Sequence, residues 1–187
     1  MKLNFFIPKY AIMYIIMSFS FSTLGLLFPT GMRLQNPLHS ISVEEVSGHF
    51  LWGLAAGALT LNPTYILLGG LFACFIDADH LIYFFHVDAL GRMSHSILFG
   101  VVSIIVLIVL RRRDYMLASL GFVSVLSHIS YDIFANESAG VPFLIPFYNE
   151  KITFVTFDWI YFEIAAVVIV GFVTFIIKRN EVKKVAT

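Results

Sequence analysis

Carboxylate and imidazole side chains occur at four points of a chain that is otherwise strongly apolar. Asp77, Asp79 and His80 stand together in the stretch FIDADHLIYFFH, and His49, His95 and the pair His128 and Asp132 mark the other three points. An ionisable group at membrane depth costs about 2.5 to 3.5 kcal/mol on insertion scales, so such groups seldom occur there without a partner or a task. These residue types are those of a site for a divalent metal ion.

The spacing of these residues favours a shared site. His128 and Asp132 are separated by four positions and therefore share one face of a helix, either as two ligands or as a ligand and the residue that orients it. Asp77 and His80 share a face in the same way, whereas Asp79 would point nearly opposite in a regular helix. The sequence therefore predicts that the helix ends or bends at Asp79.

A metal site here would use imidazole and carboxylate, because the one cysteine, Cys74, excludes a thiolate cage. This donor set suits zinc best, with manganese or iron as alternatives. A divalent ion lowers the pKa of bound water to about 7, so hydrolysis is the expected reaction. The donors exceed the three protein ligands usual for one catalytic zinc, which leaves a two-ion site with a bridging aspartate open. The predicted ligands are His49, Asp77, Asp79, His80, His95, His128 and Asp132.

Three residues are predicted to act in catalysis. Asp79 and His95 belong to the predicted ligand set, and Arg92 is predicted to bind an anionic group of the substrate. Serines adjoin His95 and His128, but no G-x-S-x-G motif supports a serine nucleophile.

The composition identifies the class of protein that must position these residues. Hydrophobic residues make up 59% of the 187 residues and the mean hydropathy is +0.87, values that predict a single integral membrane domain over residues 1–187. The 12 basic residues equal the 12 acidic ones, so no net positive charge favours a direct nucleic-acid partner.

Six apolar segments predict an all-α, polytopic membrane helix bundle. The turn Asn62-Pro63 predicts a helical hairpin between the second and third segments, both too short for a hydrocarbon core of about 30 Å. Gly53 and Gly57 would let the second helix pack closely against a neighbour. The predicted helices cover residues 11–28, 46–61, 64–76, 94–110, 115–134 and 159–177.

The basic residues predict the orientation. If the N-terminus is inside and the six segments alternate, nine basic residues lie inside, and Arg33, Arg92 and Lys151 lie outside. The tails 1–10 and 178–187 are then cytoplasmic, and residues 135–158 form an outer loop or a lid. All six histidines fall toward the outer face, with His39 and His86 expected at the surface.

The chain resembles the YdjM-like family of membrane-bound proteins described as metal-dependent hydrolases. The resemblance runs from about Gly48 to Asp158 and rests on four motifs in order. They are Ser47-Gly48-His49, Ile76-Asp77-Ala78-Asp79-His80, Ser94-His95-Ser96, and Ser127-His128 with Asp132, followed by Gly140 and Pro146-Phe147. Some members are described as inner-membrane LexA-binding proteins, so the resemblance implies the inner membrane and admits a protein partner.

This chain departs from the family pattern at two places. Ile76 replaces a proline, and the histidine that precedes the arginine in the family's H-R-G-x-T-H-S is missing from Leu90-Gly91-Arg92-Met93-Ser94-His95-Ser96. His86 or Arg92 would have to fill that gap. The resemblance also places an aspartate near Asp158, whose membership of the site is left open.

We therefore expect a metal-dependent hydrolase that acts on a phosphoester or a lipid-linked substrate at the outer membrane face. One alternative is a noncatalytic adaptor or regulator with a structural metal site. Another is a metal or proton carrier, which the near absence of ionisable residues in the inner halves of these helices disfavours.

Overall fold

The computed structural model describes residues 3–28, 42–86, 91–136, 140–148 and 150–185. Within them the chain forms six α-helices and a two-strand antiparallel hairpin, which confirms the predicted all-α bundle. His39 and Arg33 lie outside the described residues. The helices are α1 Leu3–Thr23, α2 Val43–Gly57, α3 Pro63–Phe75, α4 Ile97–Leu110, α5 Tyr115–Ala135 and α6 Trp159–Val185, and the strands are β1 Gly140–Val141 and β2 Ile152–Thr153.

Helix α5 is the centre of the bundle. It contacts α2, α3, α4 and α6, and 89% of its most apolar 18-residue stretch is buried inside the protein. The outer helices show the opposite pattern, since Phe5, Ile16 and Phe172 expose more than half of their surface. Apolar side chains that face outward fit a hydrocarbon solvent, and side chains on α5 must instead be satisfied by protein.

Four helical segments are long and apolar enough to cross a membrane in the described part of the chain: Phe5–Leu27, Pro63–Phe85, Tyr115–Ala135 and Trp159–Lys184. The prediction that the third segment is short was wrong. After α3 the chain continues as a 3₁₀ segment over Ile76–Phe85. The Ile76 carbonyl at this junction accepts a hydrogen bond from the Ser18 hydroxyl at 2.6 Å, which competes with α-helical bonding.

Helices α2 and α3 form the predicted hairpin. The turn uses Asn62 as the N-cap of α3, because its side chain accepts from the Thr64 N–H at 3.0 Å, and Pro63 occupies the first helical position. The two helices approach most closely where Gly53 meets Gly69. A Cβ atom on Gly53 would overlap the Gly69 carbonyl oxygen, so this contact requires glycine.

The segment after α5 folds back onto the bundle. The Ile97 N–H donates to the Phe143 carbonyl at 3.0 Å, which ties this segment to the start of α4. The rings of Phe143, Phe154 and Phe162 pack edge to face and join it to α6. The hairpin of β1 and β2 is therefore held near the end of the bundle where α4 and α6 begin.

Candidate metal centre

Four segments deliver acidic and imidazole side chains to one end of the bundle. The donors come from the first turns of α2, the 3₁₀ segment after α3, the turn before α4 and the last turns of α5. The residues brought together are Glu45, His49, Asp77, Asp79, His80, His95, His128 and Asp132. Every residue predicted as a ligand lies in this group.

His95 and His128 face each other through their Nε2 atoms, which lie 2.9 Å apart. The Nδ1 atom of His128 lies 2.7 Å from the Ala73 carbonyl oxygen and must donate to it, because a carbonyl only accepts. The Nδ1 atom of His95 lies 3.1 Å from the Asp79 carboxylate. Both outer nitrogens are thus anchored, and both Nε2 atoms point at one place, as in imidazoles that bind a metal.

Two carboxylates flank this histidine pair. The Oδ1 atom of Asp77 lies 3.3 Å from His95 Nε2 and 3.5 Å from His128 Nε2. The Oδ2 atom of Asp132 lies 3.7 Å from His128 Nε2, and the i,i+4 spacing on α5 accounts for this approach. Imidazole nitrogen and carboxylate oxygen therefore converge from α5, the 3₁₀ segment and the turn before α4.

The 3₁₀ segment explains how Asp77, Asp79 and His80 reach one site. Residues three apart eclipse each other in a 3₁₀ helix, so Asp77 and His80 lie side by side, with Oδ1 and Nε2 3.5 Å apart. Asp79 also points inward, and its Oδ2 accepts from the Ser94 hydroxyl at 2.7 Å. The α-helix ends at Phe75, four residues before the predicted position at Asp79, and the chain continues in 3₁₀ geometry.

The donors fit a divalent metal ion. The residues form four groups of three or four in which the donor atoms, one from each residue, all lie within 4.8 Å of one another. The groups are Asp77, Asp79, His80 and His95; His49, Asp77 and His128; His95, His128 and Asp132; and Glu45, His49 and Asp132. The buried Oδ1 atom of Asp79 has no hydrogen-bond partner, and an unsatisfied buried carboxylate oxygen is costly. Imidazole mixed with carboxylate suits zinc, manganese and iron. This buried cluster could therefore bind a metal ion.

The cluster has a dry side and an open side. The side chains of His95 and His128 are fully buried, whereas Asp77 is 21% and Arg92 34% exposed. Arg92 Nη2 lies 3.3 Å from Asp132 Oδ2 and 3.0 Å from His95 Nε2. Burial and the nearby Arg92 charge lower the pKa of Lys151, which places this residue of the β-hairpin near the same opening. A ligand would approach from the side where Arg92 lies.

Glu45 is the residue of this cluster that the sequence analysis missed. It precedes His49 by four positions, so the two share a face of α2, and its Oε2 atom lies 3.6 Å from His49 Nε2. That spacing was the available signal. Asp158 and His86, whose membership of the site the sequence left open, are in none of these four groups. Asp158 accepts a hydrogen bond from the Val155 N–H at 2.9 Å, and His86 is exposed at the end of the 3₁₀ segment.

Comparison with known proteins gives one result. The family model described as YdjM inner membrane protein matches residues 45–187, which is more than half of the chain and includes every donor named above. No curated protein and no solved structure gives a significant match. The match and the apolar helices together make the chain an integral inner-membrane protein.

Proposed function

We propose a function on the premise that the chain belongs to the YdjM inner membrane protein family. The protein is a membrane-embedded, metal-dependent hydrolase that cleaves a phosphoester or a lipid-linked substrate. One observation carries the proposal: the Nε2 atoms of His95 and His128 converge at 2.9 Å beside the carboxylates of Asp77 and Asp132. Zinc is the ion that this donor set favours, with manganese or iron as alternatives.

The protein groups have separate tasks in this reaction. The Ala73 carbonyl and Asp79 hold the two imidazoles in the orientation that presents Nε2, which preorganises the site. When bound, a divalent ion supplies an activated water near neutral pH and a Lewis acid for the reacting oxygen. The guanidinium of Arg92, on the open side, binds an anionic oxygen of the substrate, because its planar fork matches phosphate geometry.

The surroundings of the site favour an amphiphilic substrate. Directly after His80, the 3₁₀ segment exposes Leu81, Phe84 and Phe85, which with Ile15, Ile16 and Phe19 of α1 line an apolar groove of about 390 Å³. The polar donors and this groove therefore neighbour each other along one segment. A substrate with a phosphorylated head and an apolar tail matches that arrangement.

A carrier is less well supported. A pathway for a proton or a metal ion needs polar or ionisable groups along its length. On α5, residues 116–126 contain no ionisable side chain, and residues 97–110 of α4 contain none either. A centre confined to one end of the bundle suits a catalyst or a structural metal site.

Metal analysis combined with hydrolysis assays tests the proposal. We expect purified wild type to contain zinc or another divalent ion and to hydrolyse phosphorylated lipid headgroups. His128→Ala and Asp79→Asn should lose metal, and activity should fall by at least 100-fold. Glu150→Gln, which removes an exposed carboxylate from the loop, is the matched control and should change neither.

The outcomes separate the rival functions. Full metal content in both variants would remove the proposed ligands. Metal that is required for the fold but accompanies no turnover would identify a structural centre, as expected for an adaptor or regulator.

We propose that the site lies on the non-cytoplasmic face and that both termini are cytoplasmic. The excess of basic residues at the other end of the bundle supports this orientation. In a background with Cys74 replaced by alanine, Glu150→Cys should react with an impermeant thiol reagent outside intact cells, and Asn180→Cys only after lysis. Both positions are exposed, whereas Ser94 is fully buried and unsuitable as a probe. The reverse labelling pattern would invert the orientation.

A further inference from the structure

We infer that the cluster holds two divalent ions and that Glu45 is a ligand of the second. The inference rests on the metal site of the proposed function and extends it to the number of ions and to a further ligand. Two observations support it. The carboxylates of Asp77 and Asp132 face both His49 and the pair of His95 and His128, and the ring of His49 stacks on that of His128.

Asp77 and Asp132 each direct their two oxygens to different histidines. Asp77 Oδ1 faces His95 and His128, while its Oδ2 lies 3.6 Å from His49 Nε2. Asp132 Oδ2 faces His95 and His128, while its Oδ1 lies 3.5 Å from His49 Nε2. In both carboxylates, one oxygen faces His49 and the other faces His95 and His128. This is the arrangement of carboxylates that bridge two metal ions.

The rings of His49 and His128 stack, with centroids 3.7 Å apart and planes inclined by 8°. The Nε2 atom of each ring faces the same two carboxylates, those of Asp77 and Asp132, at 3.5 to 3.7 Å. Two-metal sites hold their ions about 3.5 to 4 Å apart. Two stacked rings at this spacing that face shared carboxylates therefore suit one ion per ring.

Glu45 completes the second set of donors. Its Oε2 atom lies 3.6 Å from His49 Nε2, and Glu45, His49 and Asp132 form one subset whose donor atoms lie within 4.8 Å of one another. With Asp77 Oδ2, four protein donors surround the position of the second ion at His49. The first ion would lie between His95 and His128 and would also be held by Asp77 Oδ1 and Asp132 Oδ2. Each ion would therefore have at least four protein donors.

The charges of these groups favour cation binding. Four carboxylates, those of Glu45, Asp77, Asp79 and Asp132, act on the single guanidinium of Arg92. Uncompensated charge that is removed from water is costly, so bound cations stabilise the assembled cluster. His49, which is 2% exposed, is the imidazole that the second ion would use.

The ion-to-protein ratio of the full-length protein in detergent tests the inference. Metal analysis with quantitative amino-acid analysis should give two ions per chain for wild type and one for Glu45→Gln. Glu44→Gln is the matched control, because it removes a neighbouring but exposed carboxylate, and it should keep two ions. One ion per chain in wild type would overturn the inference, and two ions in Glu45→Gln would overturn the role of Glu45.

A second readout uses wild type alone, in case Glu45→Gln does not fold. After exchange into manganese, electron paramagnetic resonance should show the spectrum of a coupled pair. The spectrum of isolated ions at full loading would contradict two neighbouring sites. Hydrolysis is scored separately: two ions without turnover would uphold this inference and reject the hydrolase, and one ion with turnover would do the reverse.

Discussion

The two ends of the bundle differ in whether their ionisable side chains are buried or reached by water. At the metal end, donors from four segments are packed against one another, and His95 and His128 are fully buried. At the other end, basic and polar side chains line an open cavity of about 830 Å³, among them Arg111, Arg112, Arg113, Lys178 and Lys184. Charge that water reaches needs little compensation from protein, whereas charge packed inside requires a counter-ion.

The basic end satisfies its carboxylate with protein groups. Asp114 caps α5 by accepting from the Leu117 N–H at 3.0 Å, and the Tyr65 hydroxyl lies 3.0 Å from both of its carboxylate oxygens. At the metal end, by contrast, Asp79 Oδ1 has no hydrogen-bond partner. The basic end therefore satisfies this carboxylate with protein groups, whereas the other end leaves a buried carboxylate oxygen that a metal ion could bind.

Removal of the metal should have the largest effect on stability. The proposed ion would bind the folded state alone, and at 1,000 times its Kd it should stabilise the protein by about 4 kcal/mol. Thermal unfolding in detergent should therefore show a lower Tm in chelator than with zinc restored. Arg112→Gln at the basic end should show the same shift, while His128→Ala should show almost none. Equal Tm values with and without chelator in wild type would contradict the contrast between the ends.

The glycine contact between α2 and α3 should give the next largest effect. Gly53→Ala should destabilise the protein by about 1 to 3 kcal/mol, because the new methyl group overlaps the Gly69 carbonyl. Gly171→Ala is the control, since its Cβ would meet only the end of the flexible Leu59 side chain. Metal content should fall with Gly53→Ala, because α2 carries His49. Equal stabilities of the two variants would show that the close contact is unimportant.

A change at the basic end should be smaller and should leave the metal in place. Tyr65→Phe removes the hydroxyl that bonds the Asp114 carboxylate, and a hydrogen bond to a charged group contributes about 1.5 kcal/mol. Unfolding should become easier by about that amount, while metal analysis should equal wild type. Loss of metal in this variant would mean that the two ends are coupled through α3 or α5.

The smallest effect is expected for Arg111→Gln. The Arg111 Nε atom lies 3.6 Å from Asp114 Oδ2, and the arginine side chain is 42% exposed. Partly exposed pairs contribute about 0.2 to 1 kcal/mol, and salt screens them. The difference from wild type should therefore shrink in 1 M salt. A loss above 2 kcal/mol would show that this end also depends on buried charge.

The sequence alone determined the class of fold and the residue types at the metal end. Apolar segments predicted six helices, and Asn62-Pro63 predicted the turn between α2 and α3, because both signals are local properties of the chain. Alternation of the segments also predicted that the histidines and aspartates would share one end. The i,i+4 spacing of His128 and Asp132 was sufficient to place them on one face.

Only the tertiary structure decided the geometry of the site. The third segment continues to Phe85 as a 3₁₀ helix, and its first carbonyl, that of Ile76, accepts from the hydroxyl of Ser18, which lies far from it in sequence. Glu45 joins the cluster because the contact of Gly53 with Gly69 brings α2 close to α3. Spacing along a chain determines which side chains share a helix face, but distances between helices depend on how closely their backbones pack, and this is a property of the whole fold.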